Sequence, residues 1–275
     1  MRIRWAAAGP LLISLCLLSA CGRGQAAGVI VAGSTSVQPY AELLAEEYEA
    51  LYPDDQAIEV QGGGSSAGIT AVESGTAAIG MSSRNLKESE EHLWKTEIAK
   101  DGLAIIVNPG NPVEDLTREQ ILGVYAADIK NWSELGGPDA KIHIITREEG
   151  SGTRSAFEEL VMRDRRITPK AIVQDSNGAV RQLVADDLYS IGFISLGLVE
   201  IGEKPVKAIR LNGVEAARDN VINESYPLYR SFLFVAKSEP DGGAGRFIDF
   251  IFSAGGREML RHEGLITGED GEAWG

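Results

Sequence analysis

Between Val29 and Arg84 the chain three times drives a short apolar run into a turn built from glycine and hydroxyl residues. Val29-Ile30-Val31-Ala32 enters Gly33-Ser34-Thr35-Ser36. Ile58-Glu59-Val60-Gln61 enters Gly62-Gly63-Gly64-Ser65-Ser66-Ala67-Gly68. Residues 77–81 enter Ser82-Ser83-Arg84. The apolar runs read as strands. The first two turns lead into helical spacing: Pro39 suits a first helical turn, and Leu44, Tyr48 and Leu51 share one face of a helix reaching about Tyr52. A second helix reaches about Glu73. Strands alternating with helices imply βαβ units and a mostly parallel sheet, an α/β fold. In open sheets of that kind ligands bind beyond the carboxyl ends of the strands, and all three turns lie there.

The rest of the chain continues the alternation. Residues 103–107 form a strongly apolar strand closed by Asn108-Pro109-Gly110-Asn111-Pro112, which reads as a crossing between domains. Thr117 and Gln120 fit a capping box ahead of a helix at 121–125. A strand at 142–145 leads into Arg147-Glu148-Glu149-Gly150-Ser151-Gly152-Thr153 and a helix at 155–162. Asn177-Gly178 starts another helix, 191–194 is a strand, 228–235 is a late apolar strand suited to crossing back, and 247–261 is a final helix. Residues 267–275 read as a flexible tail. There is no internal repeat.

The turns have a common chemistry. The first N–H groups of a helix lack internal partners and sit at the positive end of its dipole, so they attract anions. Glycine lets a ligand approach the backbone, and serine and threonine add hydroxyl donors. Thr35, Ser36, Ser65, Ser66, Ser151, Gly152 and Thr153 fit this description, and Arg147 adds a planar fork suited to a tetrahedral oxyanion. The competing reading is that the hydroxyls only cap helices, their usual role; three such turns at strand ends, with an arginine beside one, favour the anion. Glu148 and Glu149 read as first-turn charges or as a carboxylate that orients an arginine. The formal net charge of −14 argues against a nucleic-acid partner and against long-range attraction of an anion, so such a site has to work locally. Each hydrogen bond to a charged group contributes roughly 1.5–3 kcal/mol, and a handful reaches micromolar affinity, about 8 kcal/mol.

Two other motifs overlap the second turn. Gly64-Ser65-Ser66-Ala67-Gly68 fits the nucleophile elbow G-x-S-x-G, with Ser66 as nucleophile of a hydrolase. That reading needs a histidine, and the chain has His92, His143 and His262. His143 falls within a strand, His92 in a charge-rich helix, and His262 is the remaining candidate. Gly62-x-Gly64-x-x-Ala67 loosely fits a dinucleotide fingerprint, but no acidic residue follows at the expected distance.

The first twenty residues carry Arg2 and Arg4, an apolar run and then small residues, the layout of a secretory signal. Leu18-Ser19-Ala20-Cys21 resembles the bacterial lipobox, in which Cys21 is lipidated and becomes the first residue. Residues 1–20 are then a signal peptide and 21–28 a tether. Cys16 is discarded, so no disulfide or thiolate metal site is expected. Two of the 26 basic residues go with the signal, leaving 24 against 40 acidic ones, or −16.

The segments GSTSVQPY, QGGGSSAGI, IGMSSRNLK, GLAIIVNPGNPVEDLT, NWSELGG, REEGSGTRSAFEELV, YSIGFISLG and YPLYRSFLFVAK, in this order, resemble the phosphate-binding protein of bacterial phosphate ABC transporters. The resemblance spans nearly all of residues 29–264. It implies a two-lobed type II periplasmic-binding-protein fold with hinge strands, lobe I being 29–108 plus 224–266 and lobe II 109–223. It implies an exported, lipid-anchored monomer at the outer face of the cell membrane that captures inorganic phosphate and delivers it to an ABC permease, with no reaction, cofactor or metal. The implied ligands are Thr35, Ser36, Ser65 and Ser83 from one lobe and Arg147, Ser151, Gly152 and Thr153 from the other. Many relatives carry an aspartate where this chain has Ser83; that carboxylate accepts the proton of hydrogen phosphate and repels sulfate. Glu148 or Glu149 are the candidates to replace it, and Arg84 is a candidate extra ligand. The alternatives are a receptor for sulfate, molybdate or another tetrahedral oxyanion, and an exported serine hydrolase or phosphoesterase using Ser66.

Overall fold

The computed structural model describes residues 28–200 and 204–268, so the signal peptide, Cys21, the tether up to residue 27 and the tail from residue 269 fall outside the described residues. Strands β1 (Val29–Gly33), β2 (Ile58–Gly62) and β3 (Ile79–Ser82) are parallel, with Val31 opposite both Val60 and Ile79. Helices α1 (Gln38–Leu51) and α2 (Ser65–Ser74) are the crossovers between them. α1 buries Tyr40, Ala41, Leu44, Ala45 and Tyr48. Its apolar stripe stops there, because Leu51 is 55% exposed.

β4 (Trp94–Val107) is 14 residues long and is the spine of the molecule. Residues 94–102 pair antiparallel with β11, introduced below, and residues 103–107 pair antiparallel with β8. The sequence reading recognises only the second half as strand. Lys95, Glu97, Lys100 and Asp101 break up the apolar pattern of the first half, whereas the second half is buried on both faces and reads as continuous Leu-Ala-Ile-Ile-Val.

The short β5 (Asp115–Leu116) precedes α3 (Arg118–Tyr125), which has the predicted capping box: Thr117 Oγ1 accepts from Gln120 N, and Gln120 Oε1 accepts from Thr117 N. β6 (His143–Arg147) leads into α4 (Gly152–Phe157), which starts three residues before the predicted Ser155 and widens into a π-turn over Glu158–Met162. β7 (Ile172–Gln174), α5 (Asn177–Asp186) and β8 (Ser190–Ser195) follow, with β6 parallel to both neighbouring strands. β9 (Lys207–Ala208), β10 (Arg210–Leu211) and α6 (Arg218–Ile222) lead to β11 (Tyr229–Ala236). β9 pairs with β4, and β10 with β5. The chain ends its folded part in α7 (Gly242–Phe252) and α8 (Ala254–His262). The expected single helix is therefore two. Ser253 ends the first by donating from Oγ to Phe250 O and starts the second by accepting from Gly256 N.

The strands run β2-β1-β3-β11-β4-β8-β6-β7. Hydrophobic clusters cover both faces of each half. Tyr40, Leu44, Phe232 and Phe247 lie on one side of the first half, and Ile69, Val72 and Val235 on the other. Tyr125, Trp132, Phe157 and Phe193 lie on one side of the second half, with Ile106, Val180 and Ile194 on the other. Both faces covered is what the parallel outer strands require; the middle of the sheet, β3-β11-β4-β8, is antiparallel. The molecule is thus a two-lobed α/β fold in which β4 runs from one lobe into the other and Leu228 O accepts from Leu103 N beside the return crossing.

Candidate functional site

The three hydroxyl-rich turns converge. Ser34 N donates to Met81 O, and Gly64 N donates to Gly33 O, so the ends of β1, β2 and β3 are stitched together by backbone. Ser34, Ser36, Ser65 and Ser83 are all buried. Ser34 Oγ donates to Ser83 Oγ (2.8 Å) and accepts from Ser36 N (3.2 Å). Ser65 Oγ accepts from Ser83 N (3.0 Å) and lies 3.4 Å from Ser83 Oγ. None of these hydroxyls caps a helix. The N-cap residues are Val37 for α1 and Gly64 for α2, and neither helix has a side-chain cap. Gly64 has a φ of 89°, a left-handed conformation that favours glycine. Capping accounts only for Ser151, whose Oγ accepts from Arg154 N.

The second lobe contributes from the ends of β6 and β8. Arg147 is the last residue of β6 and is 1% exposed. Its Nε and Nη2 form a bidentate pair with Glu148, both at 2.9 Å, and also donate to the carbonyls of Gln174 and Asp175. Its Nη1 is buried with no partner. Glu148 thus orients the arginine, and both its oxygens are occupied; Glu149 is exposed. Across the seam, Thr153 Oγ1 is 2.7 Å from Ser36 Oγ, and Ser66 N donates to Gly150 O. Gly152 lies directly over Ser65 and Ser83, and a Cβ there would overlap Ser65 Oγ and come within 2.5 Å of Ser83 Oγ. The structure therefore brings Thr35, Ser36, Ser65, Ser83, Ser151, Gly152, Thr153 and Arg147 to the line where the lobes meet, in a closed arrangement.

Four further residues at the seam escape the sequence reading. Asn177, at the start of α5, donates from Nδ2 to Thr35 Oγ1 (3.2 Å) and Ser36 Oγ (2.9 Å). Arg230 on β11 stands opposite Asp101 on β4. Its Nε and Nη2 donate to Asp101 Oδ2 at 3.3 and 3.1 Å, and Nη2 also reaches Ser36 Oγ at 3.0 Å. Asp101 Oδ1 accepts from Ser195 Oγ (2.8 Å), and Ser195 N donates to Asn177 Oδ1 (3.4 Å). Asp101, Ser195, Asn177, Ser36 and Arg230 thus form a closed circuit through both lobes and both crossing strands. Burial pushes the Asp101 carboxyl up, and the Arg230 charge and the Ser195 hydroxyl act against that. Burial likewise lowers Arg230, and the Asp101 charge opposes it. The available signal was a lone arginine inside the apolar run Tyr229–Ala236 and a lone aspartate just before Gly102.

The circuit fixes a proton. Ser36 Oγ accepts from both Arg230 and Asn177, which fills both acceptor positions of a hydroxyl. Its own proton must then go to Thr153 Oγ1, leaving the Thr153 hydroxyl proton free to donate elsewhere.

Arg84, the candidate extra ligand, is committed elsewhere. Its guanidinium makes a bidentate pair with Glu90 (2.7 and 2.9 Å) and donates to Asn85 O and to Ser66 Oγ. Ser66 has no histidine beside it. His143 pairs with Asp187 at the end of β6 away from Arg147, about 13 Å along the strand. His92 lies not in a helix but in the turn between the short 3₁₀ stretch Glu88–Glu90 and β4, near Glu73 at the far end of α2, and the His262 side chain is 84% exposed on α8. Among the described residues no group of His, Cys, Asp and Glu is disposed to hold a metal, and no helix is long and apolar enough to cross a membrane.

Two α/β lobes that share crossing strands and meet over a ring of buried hydroxyls and a guanidinium define a bilobal solute-binding class. Comparison with known proteins agrees. A model of the PBP superfamily domain matches residues 19–254. The phosphate-binding protein PstS of Bacillus subtilis is 32% identical over 86% of this chain and 79% of its own length. PstS of Pseudomonas aeruginosa is 30% identical over 85% and 81%. Among solved structures, a proposed phosphate ABC transporter substrate-binding protein of Clostridium perfringens with bound phosphate has a TM-score of 0.83 and 42% identity, covering 88% of this chain and all of that one. An ABC-type phosphate transport receptor from Vibrio cholerae has a TM-score of 0.72 and 40% identity, covering 87% and all of that chain. The chain belongs to the PBP superfamily and, within it, to the PstS family of phosphate-binding proteins.

Proposed function

We propose that this chain is an extracytoplasmic receptor that captures inorganic phosphate between its lobes and passes it to an ABC permease. The observation that carries this reading is Arg147: its Nη1 is buried without a partner while Glu148 and two carbonyls hold the other nitrogens still. A buried, fixed donor next to hydroxyls from two lobes is an oxyanion site. The names of the relatives supply the choice of phosphate. Thr35, Ser36, Ser65 and Ser83 serve from lobe I, and Arg147, Ser151, Gly152 and Thr153 from lobe II. Ser36 and Ser151 act mainly by holding neighbours, since their hydroxyls are engaged within the protein. The hinge is the point in β4 where its partner changes from β11 to β8, between Gly102 and Leu103, so that of the lobes expected from the sequence, 29–108 plus 224–266 and 109–223, the first gives up its residues 103–108 to the second. Closure is hinge motion about β4 and the return crossing, and the permease reads the closed form. The protein is a monomer, anchored through a lipidated Cys21 once residues 1–20 are removed. It performs no reaction on its ligand.

A specific observation favours a second reading, a less discriminating receptor for tetrahedral oxyanions. The two carboxylates closest to the ring, Glu148 and Asp101, have both oxygens occupied by protein donors, and position 83 is a serine. Calorimetric titration of the anion-stripped protein with phosphate, sulfate and molybdate separates the two. Phosphate bound far more tightly than sulfate supports a phosphate receptor, with a hydroxyl such as that of Ser83 accepting the ligand's proton. Equal binding of sulfate supports the broader receptor, and binding of none of the three removes the oxyanion reading.

A further inference from the structure

We infer that Arg230 is a second guanidinium ligand of the captured anion, presented from the crossing strand β11 and held by Asp101. The inference rests on the oxyanion reading above and adds to it a residue outside the hydroxyl turns. Arg230 and Asp101 are 6% and 2% exposed. Burying an ion pair carries a large desolvation cost and is seldom worth more than an apolar pair for stability alone. A pair retained at the seam between two lobes therefore asks for another explanation. Arg230 Nη2 reaches Ser36 Oγ, a member of the ring, and Nη1 is buried with no partner, as is Nη1 of Arg147. The two arginines are near enough for the charge of Arg147 to add to the effect of burial in lowering Arg230. Each arginine has its own carboxylate, Glu148 for one and Asp101 for the other, so each pair is neutral overall and offers directed N–H donors rather than bulk positive charge. That is how an anion site works in a chain of net charge −14.

The arrangement also sets Asp101 apart from a proton acceptor for the ligand. Its Oδ1 is taken by Ser195 and its Oδ2 by Arg230. It is the counter-ion of a ligand, and it places that ligand at the hinge, where β4 changes partner one residue later. Anion capture is thereby tied to the strand that has to bend.

The test is calorimetric titration of the anion-stripped protein with inorganic phosphate and with sulfate, in the wild type, in Arg230→Lys and in the double variant Arg230→Gln/Asp101→Asn, with thermal melting of each anion-free form. The double variant keeps the hydrogen-bonding shape and removes both charges. It is expected to lose about 10- to 100-fold in phosphate affinity, the worth of one charged hydrogen bond, with melting near that of the wild type. Arg230→Lys, which loses the planar fork but keeps the charge, is expected to fall between the two. A double variant that binds phosphate within twofold of the wild type overturns the inference and leaves the phosphate reading standing. A wild type that binds neither anion overturns both. If the double variant does not fold, Arg230→Lys decides: unchanged affinity overturns the inference, and weaker phosphate binding with unchanged melting supports it.

Discussion

Gly152 of the second lobe lies so close over Ser65 of the first that a Cβ at position 152 would overlap the Ser65 hydroxyl, with Ser83 Oγ only 2.5 Å away. A single missing methyl group thus sets how far the lobes can close. Both hydroxyls are held in the ring, Ser65 by Ser83 N and Ser83 by Ser34, so neither is free to swing aside. Overpacking a filled site of this kind costs about 1–3 kcal/mol. Gly152→Ala is therefore expected to weaken phosphate binding by about tenfold or more, while the anion-free protein melts as before. Titration with phosphate and small-angle scattering with and without the ion check this: the variant should remain open where the wild type closes. Wild-type affinity in the variant would show that the ring yields easily.

Arg147 is held by four hydrogen bonds, two to Glu148 and two to carbonyls of the β7–α5 turn. Lysine keeps the charge but cannot satisfy a bidentate carboxylate and two carbonyls at once. Arg147→Lys is expected to reduce phosphate affinity by at least about tenfold, the lower end for a charged hydrogen bond. Glu148→Gln, which keeps an acceptor but drops the charge, should lose less. Titration of both variants ranks them; an equal loss would mean that Glu148 supplies charge balance rather than orientation.

Asn177 joins the lobes. Its Nδ2 is shared between Thr35 and Ser36, and its Oδ1 accepts from Ser195 N. Each neutral hydrogen bond is worth roughly 0.5–1.5 kcal/mol net. The bonds to Thr35 and Ser36 cross from one lobe to the other and need the lobes closed, so Asn177→Ala should act chiefly on release. Stopped-flow measurement is expected to show phosphate dissociating several-fold faster, with association little changed. A variant slowed in association instead would place Asn177 on the entry path.

How much of this was legible depended on locality. The three turns, Arg147 and the Ser151-Gly152-Thr153 loop were visible because each site segment is contiguous and strand periodicity places its end. The capping box at Thr117 was readable for the same reason. What stayed hidden was set by tertiary pairing. Asp101 and Arg230 are 129 residues apart in sequence and become neighbours only through the β4–β11 register. Asn177 reads as a helix start, and its bonds to Thr35 and Ser36 appear only when the lobes are brought together. The first half of β4 was obscured because charged side chains on a strand shared between lobes interrupt the alternation. The break at Ser253 was missed because a cap inside a helical pattern leaves the apolar spacing intact on either side. Arg84 drew attention as a cation beside a candidate turn, but Glu90, six residues on, claims it.

The far edge of the first lobe carries a pH-sensitive contact that stands apart from the ligand site. Asp55 accepts from Arg246 Nε (2.6 Å) and from the Tyr48 hydroxyl (2.5 Å), and pairs with Arg246 Nη2 as well. These partners, Arg246 first, hold its carboxyl well below the usual carboxylate range. A group whose folded value is depressed contributes stability that is fully present above its unfolded value, near 3.9, and is lost as pH falls through the folded value. Arg246 is half exposed, so the ion pair itself is screened by solvent and contributes little. The buried Tyr48 hydroxyl adds the cost of losing its acceptor. Asp55→Asn is therefore expected to be less stable than the wild type at pH 7 by about 1–2 kcal/mol, with the gap closing as pH falls below about 4. Urea denaturation of both proteins at pH 7 and pH 3 reads this directly. A gap that persists unchanged at pH 3 would mean that the carboxylate charge contributes nothing and that only the shape of the contact matters.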